Sequence, residues 1–249
     1  MINSFLFFTV CIYAYMASAF IGNVHAENES QQPDHMLNVD STVYPWSSIG
    51  KLNNGTGASC TGVLISEQHV LTAAHCLYSG RLGRYIPAHS LHFLVGSRQN
   101  QFLANARISE YQVGAGHDPL RQFATMTQDW AILKLSTALP KEVQPLKLAN
   151  WMPVENTPVM LVGFSLDRLY SMTSDQNCKI IGSLNDGKLL AHNCRGVFGY
   201  SGAPLLFFNA DNTVNVVAIH IASTDQTRGN QRIIAIPASV ILNEWSSGK

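Results

Sequence analysis

The sequence lacks an excess of charge of either sign. Only 13% of its 249 residues are charged, and 16 Lys and Arg balance 16 Asp and Glu, so the formal net charge is zero. Such a chain has no electrostatic drive toward nucleic acid or an anionic membrane surface, and we expect neither as a partner. The hydrophobic share of 46% suits a globular protein of one or two domains with a sizeable core.

Long amphipathic helix patterns are also missing until the C terminus. Short apolar runs instead alternate with turn signals at intervals of about 8–12 residues, which is typical of all-β barrels and sandwiches. The last segment is predicted to be a helix, because Pro237 is typical of a first helical turn and the residues after it form one apolar face. That face consists of Val240, Ile241, Leu242 and Trp245.

Residues 1–26 contain no Asp, Glu, Lys or Arg. An apolar run over residues 5–21 is followed by small residues of the kind that a signal peptidase reads, which predicts a secretory signal cut after Ala26. A cut after Ala19 and an uncleaved anchor helix are the alternatives. The polar, aperiodic residues 27–41 are predicted to form a leader or short propeptide.

The Cys-x-x-Cys spacing of zinc sites does not occur in the sequence, which argues against a metal site. We expect neither a metal nor a cofactor. Cleavage of the signal removes Cys11 and leaves four cysteines, which in an exported chain imply two disulfides with three possible pairings. The protein is therefore predicted to be secreted or periplasmic. These cysteines are Cys60, Cys76, Cys178 and Cys194.

A serine between glycines is the strongest chemical signal in the chain. In residues 199–204, glycines on both sides of Tyr200-Ser201 permit positive φ and close backbone approach. The N–H groups of Gly199 and Ser201 can then form an oxyanion hole beside the Ser201 hydroxyl. A serine hydroxyl is a weak nucleophile unless a base and an orienting acid support it.

Two upstream segments supply those groups. His75 follows the apolar run Val-Leu-Thr-Ala-Ala, and Asp129 opens the apolar run Trp-Ala-Ile-Leu. A carboxylate beside a buried strand needs a partner, and an imidazole N–H is suitable. An α/β-hydrolase esterase is an alternative, but that fold requires the order Ser, acid, His, and only His220 follows Ser201.

Together these three segments resemble the trypsin-like (chymotrypsin-fold) serine peptidase family. The resemblance covers about residues 42–245, and the C-terminal half is similar to the secreted bacterial branch that includes the glutamyl endopeptidases. It implies an all-β fold of two six-stranded antiparallel β-barrels with a C-terminal helix. The barrels would comprise residues 42–150 and 151–249, with the site in the cleft between them.

The resemblance implies a secreted serine endopeptidase, monomeric, that acts on proteins or peptides. His75, Asp129 and Ser201 would be its catalytic triad. The alternative is a non-catalytic homologue that binds proteins through the same cleft. The family usually has an aspartate where this chain has Tyr200. In the animal enzymes that aspartate forms an ion pair with the newly cut N-terminal amine and so activates the zymogen. Tyr200 cannot form this ion pair at neutral pH, so we expect no activation switch of this kind.

The resemblance also assigns the disulfides and the specificity residues. It pairs Cys60 with Cys76 and leaves Cys178 to pair with Cys194. Arg195, six residues before Ser201, occupies the position that lines the floor of the primary pocket in the family, where a cation should reject Lys and Arg side chains. His220 and Ser223 fall where the glutamyl branch binds an acidic side chain, which predicts a preference for acidic residues before the cut bond. Alternatively, Arg195 turns to solvent and His220 only packs. The histidines without an assigned role are expected at the surface or in packing: His35, His69, His89, His92, His117 and His192.

Overall fold

Strands make up most of the secondary structure. The computed structural model describes residues 36–55, 59–97, 101–166, 171–223 and 233–247. These residues contain 16 strands and one α-helix. The predicted signal peptide and most of the predicted leader lie outside the described residues.

The first half of the chain forms a closed antiparallel barrel. The strands of this half are β1 (Met36–Asn38), β2 (Ile49–Asn53), β3 (Ser59–Leu64), β4 (His69–Thr72), β5 (Tyr78–Ser79), β6 (Arg84–Tyr85), β7 (His92–Val95), β8 (Ala104–Val113) and β9 (Ala131–Leu135). The barrel order is β2-β3-β4-β9-β8-β7, and β7 pairs with β2 to close it. Strands β5 and β6 form a separate hairpin.

The second half forms a second ring of six strands. Its elements are β10 (Lys147–Leu148), β11 (Pro158–Phe164), β12 (Met172–Leu184), β13 (Leu189–His192), β14 (Pro204–Phe208), β15 (Val214–Ser223), β16 (Ile233–Pro237) and α1 (Ala238–Ser247). The ring order is β12-β11-β14-β15-β16-β13, and the pairing of β12 with β13 closes it.

The predicted pair of six-stranded barrels is confirmed, as is the C-terminal helix. The long barrel strands pair antiparallel, and the parallel pair among the described residues joins the short β10 to β15. An α/β-hydrolase is therefore excluded, because it requires a mainly parallel sheet. Both disulfides, Cys60–Cys76 and Cys178–Cys194, are present as expected.

Strand β1 comes from the segment predicted as a leader. It pairs antiparallel with β12, with Met36 opposite Asp175 and Asn38 opposite Thr173. The N-terminal end of the described chain therefore belongs to the sheet of the second barrel.

Two glycines make room for an aromatic ring inside the first barrel. Gly50 on β2 lies opposite Gly62 on β3, and Phe93, which is fully buried, fills the space that their missing side chains leave. A Cβ atom at Gly50 would lie 2.6 Å from both the Phe93 ring and the Leu94 carbonyl oxygen. Close packing of this kind leaves no room for an added methyl group.

The terminal helix packs against both halves. Ile241 is fully buried and belongs to the same core as residues of both barrels. The Trp130 Nε1–H donates a 2.9 Å hydrogen bond to Glu244 Oε2, which ties the helix to the residue after Asp129. Residues 34–249 form one compact unit. Within the described residues, no helix has the length and hydropathy of a membrane span.

Replacing Gly50 by alanine should destabilise the first barrel. The added methyl group must displace the Phe93 ring or the β7 backbone, so the free energy of unfolding should fall by about 1–3 kcal/mol. Urea denaturation measures the change. Gly80→Ala is the matched control, because a Cβ atom there would meet nothing within 4 Å. Equal stability of the two variants would contradict this account of the barrel packing.

Candidate active site

His75 lies on a short 3-10 turn that follows β4. The turn spans Ala74–Leu77, and its first residue is completely buried against the barrel, as is Ala73 before it. Small side chains are needed there because the turn packs directly onto the core. The disulfide between Cys60 and Cys76 fixes the turn to β3. The His75 side chain keeps 21% of its surface exposed, so the imidazole can meet a ligand.

Asp129 holds His75 with both carboxylate oxygens. Its side chain is only 8% exposed, and Oδ2 lies 2.7 Å from His75 Nδ1 while Oδ1 accepts the His75 backbone N–H at 2.8 Å. Because a carboxylate can only accept, Nδ1 carries the proton and Nε2 is left as the basic nitrogen. Burial alone would raise the pKa of Asp129, but the charge of His75 and hydrogen bonds from His117 and His75 outweigh it and lower the pKa.

The Ser201 loop lies between β13 and β14 and depends on two glycines with positive φ. Gly199 has φ +101° and Gly202 has φ +79°, which L residues rarely adopt. A Cβ atom at Gly202 would lie 2.2 Å from Thr72 Oγ1 and 2.4 Å from the Thr61 carbonyl oxygen. The two barrels can therefore approach this closely beside Ser201 because glycine stands there.

Thr61 joins the first barrel to the second with three hydrogen bonds, two of which reach the Ser201 loop. Its backbone N–H donates to the Ser201 carbonyl oxygen at 2.9 Å. Its hydroxyl donates to the Gly199 carbonyl oxygen and accepts the Phe164 N–H, both at 3.0 Å. We call these three bonds the Thr61 seam. The seam fixes the carbonyl groups on both sides of Tyr200.

The loop leaves two backbone donors available. Among the described residues, the N–H groups of Gly199 and Ser201 have no hydrogen-bond partner. The Ser201 hydroxyl is half-buried and, in the same part of the chain, makes no hydrogen bond to His75. In enzymes without substrate such a bond is often long and tightens only in the complex. The loop nevertheless lies against the histidine turn, since Cys76 Sγ is 3.8 Å from the Ser201 carbonyl oxygen.

Tyr200 anchors the loop without a charge. Its side chain is completely buried, and its hydroxyl donates to the Thr173 carbonyl oxygen at 2.9 Å and contacts Thr173 Oγ1 at 2.5 Å. A buried phenol satisfied in this way needs no counter-ion. The residue that replaces the family aspartate therefore holds the loop through neutral hydrogen bonds to β12.

Two of the three predicted specificity residues lie together. The Nε2 edge of the His220 ring and the Ser223 hydroxyl both face Gly196, where an added Cβ atom would lie 3.0 Å and 3.3 Å from them. His220 also joins the serine loop, because its carbonyl oxygen accepts the Gly202 N–H at 2.8 Å. Arg195 directly precedes Gly196 and has an exposed side chain, while its backbone N–H donates to Asp175 Oδ2 at 2.7 Å.

A second buried histidine stands behind His220. His220 Nδ1 lies 3.4 Å from His192 Nε2, and the rings meet edge to face. Burial lowers the pKa of His220 to about 3, with a smaller effect from the charge of His75. Burial also lowers the pKa of His192 well below its ordinary value, and His220 adds to this. Both imidazoles are therefore neutral near pH 7.

His117 is the residue that the sequence did not identify. It was expected at the surface or in packing, but its side chain is fully buried and its Nε2 lies 3.4 Å from Asp129 Oδ1. Residues 114–127 show no regular pattern in the sequence, so no periodicity revealed that His117 turns inward. The only sign in the sequence that His117 contacts Asp129 is that it lies a short distance before Asp129 along the chain.

One group of side chains has the composition of a metal site. Ligand atoms of Cys60, His75 and Cys76 lie within 4.8 Å of one another. The two cysteines form a disulfide, so neither offers the thiolate that a zinc ion would require. The donor set does not fit a metal ion.

Comparisons with known proteins bear directly on this geometry. The family model described as Trypsin matches residues 38–245. Serine protease SP24D from Anopheles gambiae is 27% identical over 177 residues, which are 64% of this chain and 62% of that protein. Inactive serine protease 35 from Homo sapiens is 52% identical over 40 residues, which are 16% of this chain and 9% of that protein. The chain thus spans less than two thirds of the length of either relative.

A solved structure shares the fold. It is described as Glu endopeptidase in complex with MPD, and it matches 86% of this chain and 97% of its own with a TM-score of 0.70 at 20% identity. The family match extends over both barrels and includes His75, Asp129 and Ser201. The chain belongs to the trypsin family.

Proposed function

We propose that the protein is a secreted serine endopeptidase that cleaves peptide bonds through an acyl-enzyme. The observation that carries the proposal is the buried Asp129–His75 pair beside a loop that presents Ser201. Within the described part of the chain, that loop also has two N–H groups without a hydrogen-bond partner, those of Gly199 and Ser201. A base, its orienting acid, a nucleophile and oxyanion donors are the parts that acyl transfer requires.

The chemistry follows from the roles of these atoms. Ser201 Oγ attacks the peptide carbonyl carbon while His75 Nε2 takes its proton, and the N–H groups of Gly199 and Ser201 stabilise the oxyanion. His75 then gives the proton to the leaving amine, which departs and leaves an acyl-serine. A water molecule, deprotonated by His75, attacks the acyl carbon, releases the acid and regenerates the Ser201 hydroxyl.

A non-catalytic protein that binds others through the cleft is the competing function. One matched relative is named inactive serine protease 35. This chain keeps His75, Asp129 and Ser201, and it keeps a buried carboxylate whose desolvation only a well-paired site can offset. These features favour catalysis over binding alone.

Secretion is supported by two features of the chain. The Cys60–Cys76 and Cys178–Cys194 disulfides are stable in oxidising compartments outside the cytosol. The uncharged, apolar residues 1–26 have the composition of a signal peptide. The protein would act on proteins or peptides outside the cytosol.

The histidine pair supports a preference for acidic side chains before the cut bond. If His192 Nε2–H donates to His220 Nδ1, then His220 carries its own proton on Nε2, at the edge that faces Gly196 and Ser223. This tautomer leaves His192 Nδ1 as a buried acceptor, and that atom indeed has no partner among the described residues. A carboxylate at Gly196 would then meet an N–H and a hydroxyl donor.

The surroundings of Arg195 agree with this preference. Arg195 is exposed and directly precedes Gly196 in the chain, and a cation at this position would disfavour Lys and Arg side chains of a substrate. The nearby Asp175 carboxylate is buried and already accepts the N–H groups of Arg195 and Asn177. Asp175 is therefore engaged and does not present an anion to a basic substrate.

Ser201→Ala should abolish activity without unfolding the protein. Because the nucleophile is lost, labelling by a fluorophosphonate should disappear and casein hydrolysis should fall by at least about 1,000-fold. The control is Ser109→Ala, which removes an exposed hydroxyl from β8. Circular dichroism verifies folding. Wild-type rates in folded Ser201→Ala would reject the proposed endopeptidase.

Cleavage of a peptide library should occur mainly after Glu or Asp. In His220→Leu the pocket loses its N–H donor, so kcat/KM for cleavage after Glu should fall about tenfold or more. Ser223→Ala should have the smaller effect of losing one hydroxyl. Dominant cleavage after Lys or Arg would reject the acidic preference while leaving the peptidase assignment intact.

Acidification should destabilise the fold before the carboxylates titrate. Between about pH 6.5 and 4 the unfolded chain gains protons on its histidines. Folded His220, with a pKa of about 3, cannot take up this proton, so the stability that is complete above pH 6.5 is lost progressively as the pH falls. His192, whose pKa is also lowered, acts in the same direction. Asp129 adds to the loss only below about pH 4.

His192→Gln should therefore make the pH dependence less steep. Removing one buried histidine should reduce the slope of unfolding free energy against pH by about 1.4 kcal/mol per unit over this window. Urea denaturation at several pH values measures the slope. His89→Gln replaces an exposed imidazole and serves as the control. A slope that changes as much in the control as in His192→Gln would contradict the prediction.

A further inference from the structure

Asp129 is contacted by a second histidine besides His75. His117 lies in the loop before the acid, where its backbone N–H bonds the Gly114 carbonyl oxygen. Its side chain is fully buried, and its Nε2 lies 3.4 Å from Asp129 Oδ1. Among the described residues Nε2 makes no hydrogen bond of normal geometry, and Asp129 Oδ1 is the acceptor within reach of its proton.

Tyr85 determines which nitrogen of His117 carries that proton. The Tyr85 hydroxyl lies 2.6 Å from His117 Nδ1. Burial and the charge of Asp129 raise the pKa of Tyr85 to about 12, so the phenol keeps its proton and can donate it to Nδ1. His117 then accepts at Nδ1 and presents Nε2–H to Asp129. The opposite tautomer would aim a lone pair at the carboxylate in a buried site, which is unfavourable.

The hydrogen bonds thus run in one direction from Tyr85 to the carboxylate. Asp129 Oδ1 receives the His75 backbone N–H at 2.8 Å and faces His117, while Oδ2 receives His75 Nδ1–H at 2.7 Å. Donors to Oδ1 prevent the carboxylate from rotating away from the His75 ring. They also keep it ionised despite its burial.

We propose that His117, oriented by Tyr85, is a positioning residue that keeps the Asp129 carboxylate in place for its hydrogen bonds with His75. The inference rests on the proposed function and adds a fourth and a fifth side chain to its active site. Tyr85 reaches the site because the β5–β6 hairpin follows the histidine turn directly, and its ring packs edge to face on Tyr78 at 5.6 Å. The β5–β6 hairpin thereby supports the proposed active site through the contact of Tyr85 with His117.

The rate of active-site labelling tests the proposal with full-length protein. A fluorophosphonate series gives kinact and KI for wild type, His117→Phe, His117→Gln and Tyr85→Phe. His117→Phe should lower kinact about tenfold with KI unchanged, because a donor to a charged acceptor is lost. His117→Gln keeps an N–H donor and should restore kinact to within about threefold of wild type.

Tyr111→Phe is the matched control for Tyr85→Phe. Tyr111 belongs to the same aromatic cluster, and its hydroxyl donates to the Ile86 carbonyl oxygen at 2.9 Å rather than to a histidine. Tyr85→Phe should lower kinact about fivefold and Tyr111→Phe should leave it unchanged. In the His117→Phe background, Tyr85→Phe should cause no further loss, because the two residues act through one contact.

Distinct results would overturn the proposal. Folded His117→Phe labelled within about twofold of the wild-type rate would remove the role of His117. Should His117→Phe fail to fold, equal kinact values for Tyr85→Phe and Tyr111→Phe would decide against it. Wild-type protein that takes up no fluorophosphonate would instead reject the proposed function, and this inference with it.

Discussion

The Thr61 seam is the constraint on which the candidate active site depends. His75 and Asp129 belong to one barrel and Ser201 to the other, so the candidate site exists only where the two barrels meet. Thr61 bonds the backbone on both sides of Tyr200, and Gly202 lets the barrels approach to a distance that no side chain would permit. Each bond is modest alone, but all are buried and an unmade one is costly.

Among the buried titratable groups near this seam, Asp129 is ionised, whereas His220, His192 and Tyr200 are neutral. The buried carboxylate of Asp129 is surrounded by donors, whereas His220 and His192 stay neutral because burial disfavours their charged forms. Tyr200 fastens the serine loop with a phenol where the family usually places an aspartate. The loop is thus held in place without the new amino terminus that zymogen activation supplies in relatives with the aspartate.

The segments around His75, Asp129 and Ser201 carried the family resemblance, and that resemblance correctly implied the two barrels and both disulfides. The helix after Pro237 followed from local signals alone. The sequence did not identify His117, which lies in an irregular loop, or Tyr85, whose strand β6 has only two residues. Their burial is decided by tertiary contacts that no periodicity encodes. Strand β1 was missed since three residues are too few for a pattern.

Strand β1 has a consequence for maturation. It lies along β12 opposite Thr173 and Asp175, the two residues that fasten Tyr200 and the backbone of Arg195. A processing protease that cuts before Met36 leaves this support in place. A cut beyond Asn38 would remove the strand that pairs with β12 and expose unpaired backbone groups at this edge, which favours association with other chains.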